Sequence, residues 1–443
     1  MRWEQQVQYA SLSDIGFRRR NNQDSSVVQI CSERDVWNRS GHLFMVADGM
    51  GGHAVGELAS KIAADTVPHV FFKTGDQPVA DALKTAVEFA NAAIYERGSQ
   101  NRDFERMGTT CSALVLSPAG AVIGHVGDSR VYRIRGSRID QLTFDHSLQW
   151  ELLRQGKLPA EDIFLHEPRH VITRSLGPEP QVNVDLEGPY PVLPGDTYVI
   201  CSDGLTGHVN DSEIGQVADR LPPGDACRLL VHLANLRGGS DNITVVIIRV
   251  GELPEHLPEL DRELSPAAEQ SGLSWRWLAT FWAVAVILVL SVSLVLFGKL
   301  VAGTLLAGGT VIALTIIVMV WASRQPKTPK NTSDAETLYW RPYRSASAQM
   351  TRKFLSHLSA IEAELQRTAI EEGWPIDWAA HEAAFAEVRS ALQQKQYDQA
   401  LAALARSIDI LMVGVHVQRK QTAHAARWGK NAPSTDENSK QPG

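Results

Sequence analysis

The chain has 443 residues, of which 44% are hydrophobic and 21% charged, ordinary globular usage that excludes collagen-like, disordered and disulfide-scaffold classes. At roughly 150 residues per domain, that length predicts two or three folded units. The formal net charge of −7 argues against a protein that coats nucleic acid, so no nucleic-acid partner is expected. Cys31, Cys111, Cys201 and Cys227 lie far apart and form no C-x-x-C pair, which disfavours zinc or redox chemistry and fits reduced cytosolic thiols. The segment Met1 to Val7 lacks the apolar core of a signal peptide, so export of the first half is not expected.

Residues 1–251 read as one α+β domain. Apolar runs rich in β-branched residues predict strands at Leu43–Ala47, Cys111–Leu116, Ala121–Val126, Arg130–Ile134, Thr197–Cys201 and Ile243–Val250. Leu83, Ala86, Ala90 and Ile94 recur at helical spacing, and Leu58 and Ile62 suggest a second helix. The stretch Ala121 to Arg135 reads as strand, Gly127-Asp128-Ser129 turn, strand, which predicts an antiparallel hairpin. Strands arrive in groups rather than alternating with helices, which favours α+β layers over a doubly wound parallel sheet.

Residues 252–274 turn Pro- and Glu-rich and read as a linker. Two uncharged runs follow, 277–297 and 300–321, separated by Gly298-Lys299. Each is long enough as a helix, roughly 31 Å, to cross a bilayer core, so 275–322 is expected to be a transmembrane hairpin with Trp275, Trp277 and Trp321 at its edges. Arg276, Arg324, Lys327 and Lys330 flank the hairpin while only Lys299 lies between, which places both flanks in the cytoplasm. After a linker at 323–334, residues 335–420 read as a small helical interaction module with helices at Ala348–Glu372, Trp378–Gln394 and Asp398–Val413. Tyr397 to Ile408 resembles half of a tetratricopeptide repeat, and 421–443 reads as a disordered tail. The Pro-containing linker predicts few contacts between this module and the first domain, so the module reads as a tether and docking unit.

The chemistry concentrates in aspartates beside predicted strand ends: Asn22-Gln23-Asp24, Ala47-Asp48-Gly49, Gly127-Asp128-Ser129, Ser202-Asp203-Gly204 and Asp241-Asn242. Singly, each is an ordinary turn motif. Together they place several carboxylates where a sheet can hold them close, an arrangement whose repulsion hard divalent cations relieve. Without accompanying cysteine or histidine, magnesium or manganese is favoured over zinc.

Seven motifs occur in order: Asp14-x-Gly16-x-x-Arg19-x-x-Asn22-Gln23-Asp24, Phe44-x-Val46-Ala47-Asp48-Gly49-Met50-Gly51-Gly52-His53, Met107-Gly108-Thr109-Thr110, Gly127-Asp128-Ser129-Arg130, Leu142-Thr143-x-Asp145-His146-Ser147, Cys201-Ser202-Asp203-Gly204-Leu205 and Asp241-Asn242-Ile243-Thr244-Val245-Val246. Over residues 8–250 this series resembles the bacterial type 2C (PPM-type) metal-dependent serine/threonine protein phosphatases. The resemblance implies an α-β-β-α sandwich of two mainly antiparallel sheets flanked by helices. It implies Mn2+ or Mg2+ as cofactor, two core ions and a loosely held third. Motif by motif, Asp48 resembles the carboxylate bridging two metals, the Gly49 carbonyl a ligand of the first, and Asp203 and Asp241 ligands of the second. Asp24 resembles a further acidic partner, Asp128 the ligand of the third metal, and Arg19 the residue that grips substrate phosphate. A metal-activated water would attack phosphorus directly, and no protein nucleophile is required.

Two positions depart from the family pattern. Many members carry Glu where Gln23 stands, which removes one charge from the metal site. Met50 stands where the eukaryotic branch has a His general acid, leaving a metal-bound water or His53 for that role. Leu148 to Leu176 corresponds to a mobile flap beside the active site, or to a surface helix packed through Leu148, Leu152 and Leu153. The expected function is a membrane-anchored phosphatase acting on phosphorylated cytoplasmic proteins and opposing a serine/threonine kinase. The alternative is a catalytically weak, membrane-tethered sensor or scaffold, for which Gln23 is the only support.

Overall fold

Apolar residues on both faces of a strand require cover on both sides, and the predicted strands receive it by stacking as two sheets with helices outside. A computed structural model of the chain describes residues 7–74, 77–104, 106–155, 157, 171–251, most of 286–310, and 342–428. One sheet has the order β2 (Asp24–Gln29), β3 (His42–Met50), β5 (Cys111–Ser117), β6 (Gly120–Val126), β9 (Asp185–Tyr190), with β4 (Gly108–Thr109) paired to the end of β3. The other has the order β1 (Val7–Asp14), β11 (Ile243–Val250), β10 (Thr197–Cys201), β7 (Arg130–Arg135), β8 (Arg138–Gln141), β12 (Arg344–Ser347). Every pairing between these strands is antiparallel.

The period of two along each strand sorts its residues between layers. Phe44 and Val46 of β3 meet Ile200, Val246 and Ile248 between the sheets. Their neighbours Leu43, Met45 and Ala47 point outward beneath α2 (His53–Lys73) and α3 (Val79–Ser99). On the far side, Val245 and Ile247 pack under α6 (Asp211–Arg220) and α7 (Pro223–Leu236). The remaining helices of this domain are short: α1 (Arg34–Ser40), α4 (Leu148–Arg154) and α5 (Asp203–Thr206). The layers are therefore helix, sheet, sheet, helix, as expected.

One local expectation is overturned. β6 and β7 do not form a hairpin: β6 belongs to the first sheet and β7 to the second. The intervening Gly127 has φ +115°, and Thr110 side-chain atoms lie 2.5 Å from where a Cβ would sit, so the chain leaves one sheet sharply for the other. Both strands bury apolar residues on both faces, and that pattern alone cannot distinguish a turn within a sheet from one between sheets.

The C-terminal segment is also placed differently from the sequence expectation. Met1–Pro254 and Tyr339–Gly443 form one compact unit, and Glu255–Leu338 forms the other. Within the first unit, β12 pairs with β8 and extends the second sheet. After it come α8 (Arg352–Glu371), α9 (Trp378–Gln393) and α10 (Tyr397–Trp428). Phe354, Leu358, Leu404, Ile408, Leu411 and Met412 share a single apolar core with Val217, Leu230, Leu233 and Ile247 of the catalytic layers. Polar contacts seal the junction: Ser212 Oγ donates to the Ser347 carbonyl at 2.6 Å, and His232 Nε2 meets Asp409 Oδ1 at 2.8 Å. The expectation of few contacts fails because helical periodicity reveals an apolar face but not which surface covers it. α10 also runs to Trp428, so residues 421–428 of the expected disordered tail are helical.

Among the described residues, one helical stretch, Tyr397–Lys420, has the length and composition to cross a membrane. It is mostly buried inside this unit, as the central helix of a folded domain would be. In the Glu255–Leu338 unit, the described residues are helical on both sides of a turn at Phe297-Gly298, where Gly298 has φ +80° and Lys299 N–H donates to the Leu294 carbonyl at 3.0 Å. The outer parts of the expected spans 277–297 and 300–321 lie outside the described residues.

Because the core is shared, the two-sheet layers and the C-terminal helices should unfold together. Leu404→Ala, at a fully buried position of α10, should destabilise that single transition by about 2–5 kcal/mol. Denaturation followed separately by catalytic-domain and C-terminal probes checks this, and two transitions of which only one moves would refute the shared core.

Candidate active site

Strand pairing by itself brings the first two acidic residues together. Asp24 opens β2 and stands directly opposite Asp48 near the end of β3. Like charges so placed repel, so the local backbone must be fixed by other bonds. Thr110 Oγ1 accepts the Asp48 N–H at 2.9 Å, and Thr109 Oγ1 donates to the Asp48 carbonyl at 2.9 Å. Gly49 follows with no room for a side chain: a Cβ there would lie 2.0 Å from the Gly56 carbonyl oxygen and 2.6 Å from that of Gln23.

The second sheet supplies the rest. Asp203 opens α5 immediately after β10, and Asp241 lies two residues before β11. Asp128 occupies the turn between the sheets and is 6% exposed. Ser202 Oγ and Thr244 Oγ1, at the matching ends of β10 and β11, both donate to Asp24 Oδ2, at 2.8 and 2.7 Å. Asn242 accepts from the Gln23 N–H and donates to the carbonyls of Ile15 and Asn21, tying the Asp14–Asn22 loop to the site. That loop carries Arg19, whose Nη2 donates to Asp241 Oδ2 at 2.6 Å and whose Nε donates to the Ser240 carbonyl at 3.3 Å.

Electrostatics mark the cluster as unfinished. Burial, and then Asp203 and Asp241, push the Asp24 carboxyl up to about 7 against the lowering effect of its two hydroxyl donors. Asp48 is raised well above the usual carboxylate range by burial and by Asp24, Asp203, Asp128 and Asp241. Asp128 is raised likewise by burial and by Asp203 and Asp145, with Arg130 opposing. Asp241 is raised by burial and Asp203, and Arg19 only partly offsets this. Asp24 Oδ1 and Asp128 Oδ1 are buried without a hydrogen-bond partner. Buried anionic oxygens facing one another in this way fit hard divalent cations. Among the described residues no three His, Cys, Asp or Glu side chains form a closed ligand set.

A polar relay lies behind the cluster, and of its side chains only Arg130, Asp145 and His146 belong to the sequence motifs. Gly127 N–H donates to His146 Nδ1 at 2.9 Å, so Nε2 carries the ring proton and donates to Asp185 Oδ2 at 2.9 Å. Arg174 holds the other Asp185 oxygen, and Arg130 binds both oxygens of Asp145. His125 is held between Ser112 and the Phe144 carbonyl, and burial followed by His146 lowers it to about 3, so it stays neutral. These groups fix the turn that carries Asp128. Ser202 and Thr244 gave no sequence signal beyond lying next to the aspartates. His53 begins α2, but its side chain lies outside the described residues, as do residues 158–170 of the expected flap.

Residues 18–223 match the family profile described as protein phosphatase 2C. The protein phosphatase PhpP of Streptococcus pneumoniae is 35% identical over 251 residues, covering 56% of this chain and 98% of that protein. The crystal structure of the Mycobacterium tuberculosis serine/threonine phosphatase PstP/Ppp shares 32% identity and a TM-score of 0.50, covering 56% of this chain and 99% of that one. A structure of the PstP catalytic domain in complex with two manganese ions matches at 31% identity and a TM-score of 0.47, covering 56% of this chain and 99% of that one.

A pH effect follows from the cluster. In the presence of chelator the folded state holds Asp24 protonated up to about pH 7, whereas the ordinary carboxyl value is 3.8. Between those values the folded state binds a proton that the unfolded chain has released, so stability should fall as pH rises from about 4 to 7. Thermal midpoints measured in chelator across that range should show this slope, Asp24→Asn should lessen it while the other raised aspartates retain part of it, and Mn2+ should raise the midpoint most at the alkaline end.

Proposed function

Since the chain belongs to the protein phosphatase 2C family and is a serine/threonine protein phosphatase, we propose that it removes phosphate from phosphoserine and phosphothreonine of cytoplasmic proteins, anchored at the cell membrane and acting against a serine/threonine kinase. The observation that carries the catalytic reading is five electrostatically coupled aspartates, two within strands and three lying two residues from a strand end, beside the exposed Arg19.

In this reading Asp48 and the Gly49 carbonyl would hold one divalent cation and Asp48, Asp203 and Asp241 a second, with Asp24 behind them and Asp128 available to a third. Bound manganese or magnesium would supply Lewis-acid activation of water and neutralise charge on the phosphoryl oxygens. The protein's own part is positioning. Ser202 and Thr244 hold one oxygen of Asp24 and leave the other buried without a hydrogen-bond partner. Thr109 and Thr110 fix the backbone of Asp48. Arg19 is 45% exposed and already aimed by Asp241, so its planar fork can take two phosphate oxygens without first being ordered. Gln23 lowers the charge of the site by one relative to many family members, yet every aspartate of the motif series is present. That favours turnover over a purely scaffolding role.

The membrane reading rests on the hairpin's exposed apolar surface. Leu296, Phe297, Val301 and Leu305 are each more than 70% exposed, which a water-facing helix pair would not tolerate. Positive residues at Arg276, Arg324, Lys327 and Lys330 favour cytoplasmic flanks.

Asp48→Ala should remove manganese-dependent hydrolysis of p-nitrophenyl phosphate by more than about a thousandfold, the several kcal/mol that paired cations supply. Arg19→Ala should chiefly raise KM. Activity that survives Asp48→Ala would reject the assignment, and a wild-type chain inactive with added manganese would favour the scaffold. For topology, reporters active only outside the cytoplasm should be silent when fused after residue 250 or after residue 335, and a signal at either place would disprove the hairpin.

A further inference from the structure

Arg19 sits on a loop that the catalytic layers hold on one side only. Phe17 and Arg18 donate their N–H groups to the Gly239 carbonyl at 2.8 and 3.0 Å, so the floor of the loop is the Gly239-Ser240-Asp241 segment. Gly239 has φ +50°, and a Cβ there would lie 2.8 Å from Phe17 N, so this approach is closed to any larger residue. The other side of the loop is covered from more than 390 residues away in sequence. The Arg419 guanidinium of α10 lies 3.9 Å from the Phe17 ring centroid, and its Nη2 donates to the Phe17 carbonyl. His416, one turn earlier, meets the same ring edge-on at 6.0 Å. The His232–Asp409 pair at 2.8 Å and the shared apolar core fix α10 itself.

We infer that Arg419 is a positioning residue for phosphate binding: stacked on Phe17 and bonded to its carbonyl, it pins the Phe17-Arg18 peptide and so presets Arg19, two residues on, toward the substrate. The inference rests on the reading of Arg19 as the phosphate grip and adds the C-terminal helix to that machinery. A loop held on both faces loses less conformational freedom when Arg19 closes on phosphate, so the benefit falls on binding rather than on the chemical step. Arg419 is exposed on its helix, so replacing it should leave the core intact.

The test uses the full-length protein in detergent, saturated with manganese, with p-nitrophenyl phosphate as substrate and inorganic phosphate as competitive inhibitor. Arg419→Ala should raise KM and the phosphate inhibition constant together by roughly two- to fivefold, the worth of an exposed cation–π contact. kcat and the thermal midpoint should not change. Arg419→Lys keeps the cation over the ring but loses the fork, and should fall between the two. In an Arg19→Ala background, Arg419→Ala should add nothing, because it acts through Arg19. A KM unchanged by Arg419→Ala, a loss of kcat in step with the thermal midpoint, or a full additional effect in the Arg19→Ala background overturns the proposal while leaving the Arg19 reading standing. If Arg19→Ala itself leaves KM and phosphate inhibition unchanged, both fall.

Discussion

Carboxylates that the fold forces to face one another are the constraint around which the catalytic unit is arranged. Asp24 and Asp48 are directly opposed across β2 and β3. At the ~5 Å typical of opposed residues, two such charges repel by about 3 kcal/mol at an effective dielectric of 20. A hydrogen bond to a charged group returns about 1.5–3 kcal/mol. The two hydroxyls on Asp24 can therefore offset one such repulsion, but Asp203, Asp241 and Asp128 act on the same pair. The surplus is the repulsion that the proposed cations would relieve. It also accounts for the number of residues, from Thr109 to Asn242, whose task is to keep the backbone from yielding.

Much of this could be read from the chain. Strands such as Thr197–Cys201 and Ile243–Val250 announce themselves because both of their faces are covered, so most of their residues are apolar. The aspartates are legible because motif spacing ties each to the end of such a strand. β1, β2, β8, β9 and β12 escaped because they are short or half-exposed and mix polar residues with apolar ones. The crossing at Gly127 escaped because the sequence of a turn does not say which sheet comes next. The relay through His146 and Asp185 joins residues 39 positions apart, and no local pattern encodes that pairing.

The C-terminal helices show the same limit at larger scale. Their periodicity gives the helices but not the partner, and the Pro-containing segment after residue 252 suggests independence. Instead α10 buries Leu404, Ile408 and Met412 against α7, and its far end reaches the Arg19 loop. The loop that carries Arg19 thus meets Asp241 through Arg19 and Arg419 through Phe17, parts of the chain more than 170 residues apart.

The pairing of β12 with β8 bears on how the molecule is made. Gln141 finds its neighbour in Arg344 and Arg138 in Ser347, roughly 200 residues later in the chain. At the usual pace of synthesis, about 5–20 residues per second, the open edge of β8 waits some 10–40 s for its partner to emerge. Throughout that interval the nascent sheet presents unpaired backbone groups able to recruit any extended segment nearby. The charged side chains along β8, Arg138 and Asp140, discourage such recruitment. Asp140 binds Arg138 and Arg133 and, once β12 arrives, Ser345, so the same carboxylate that guards the edge later fastens the strand that closes it.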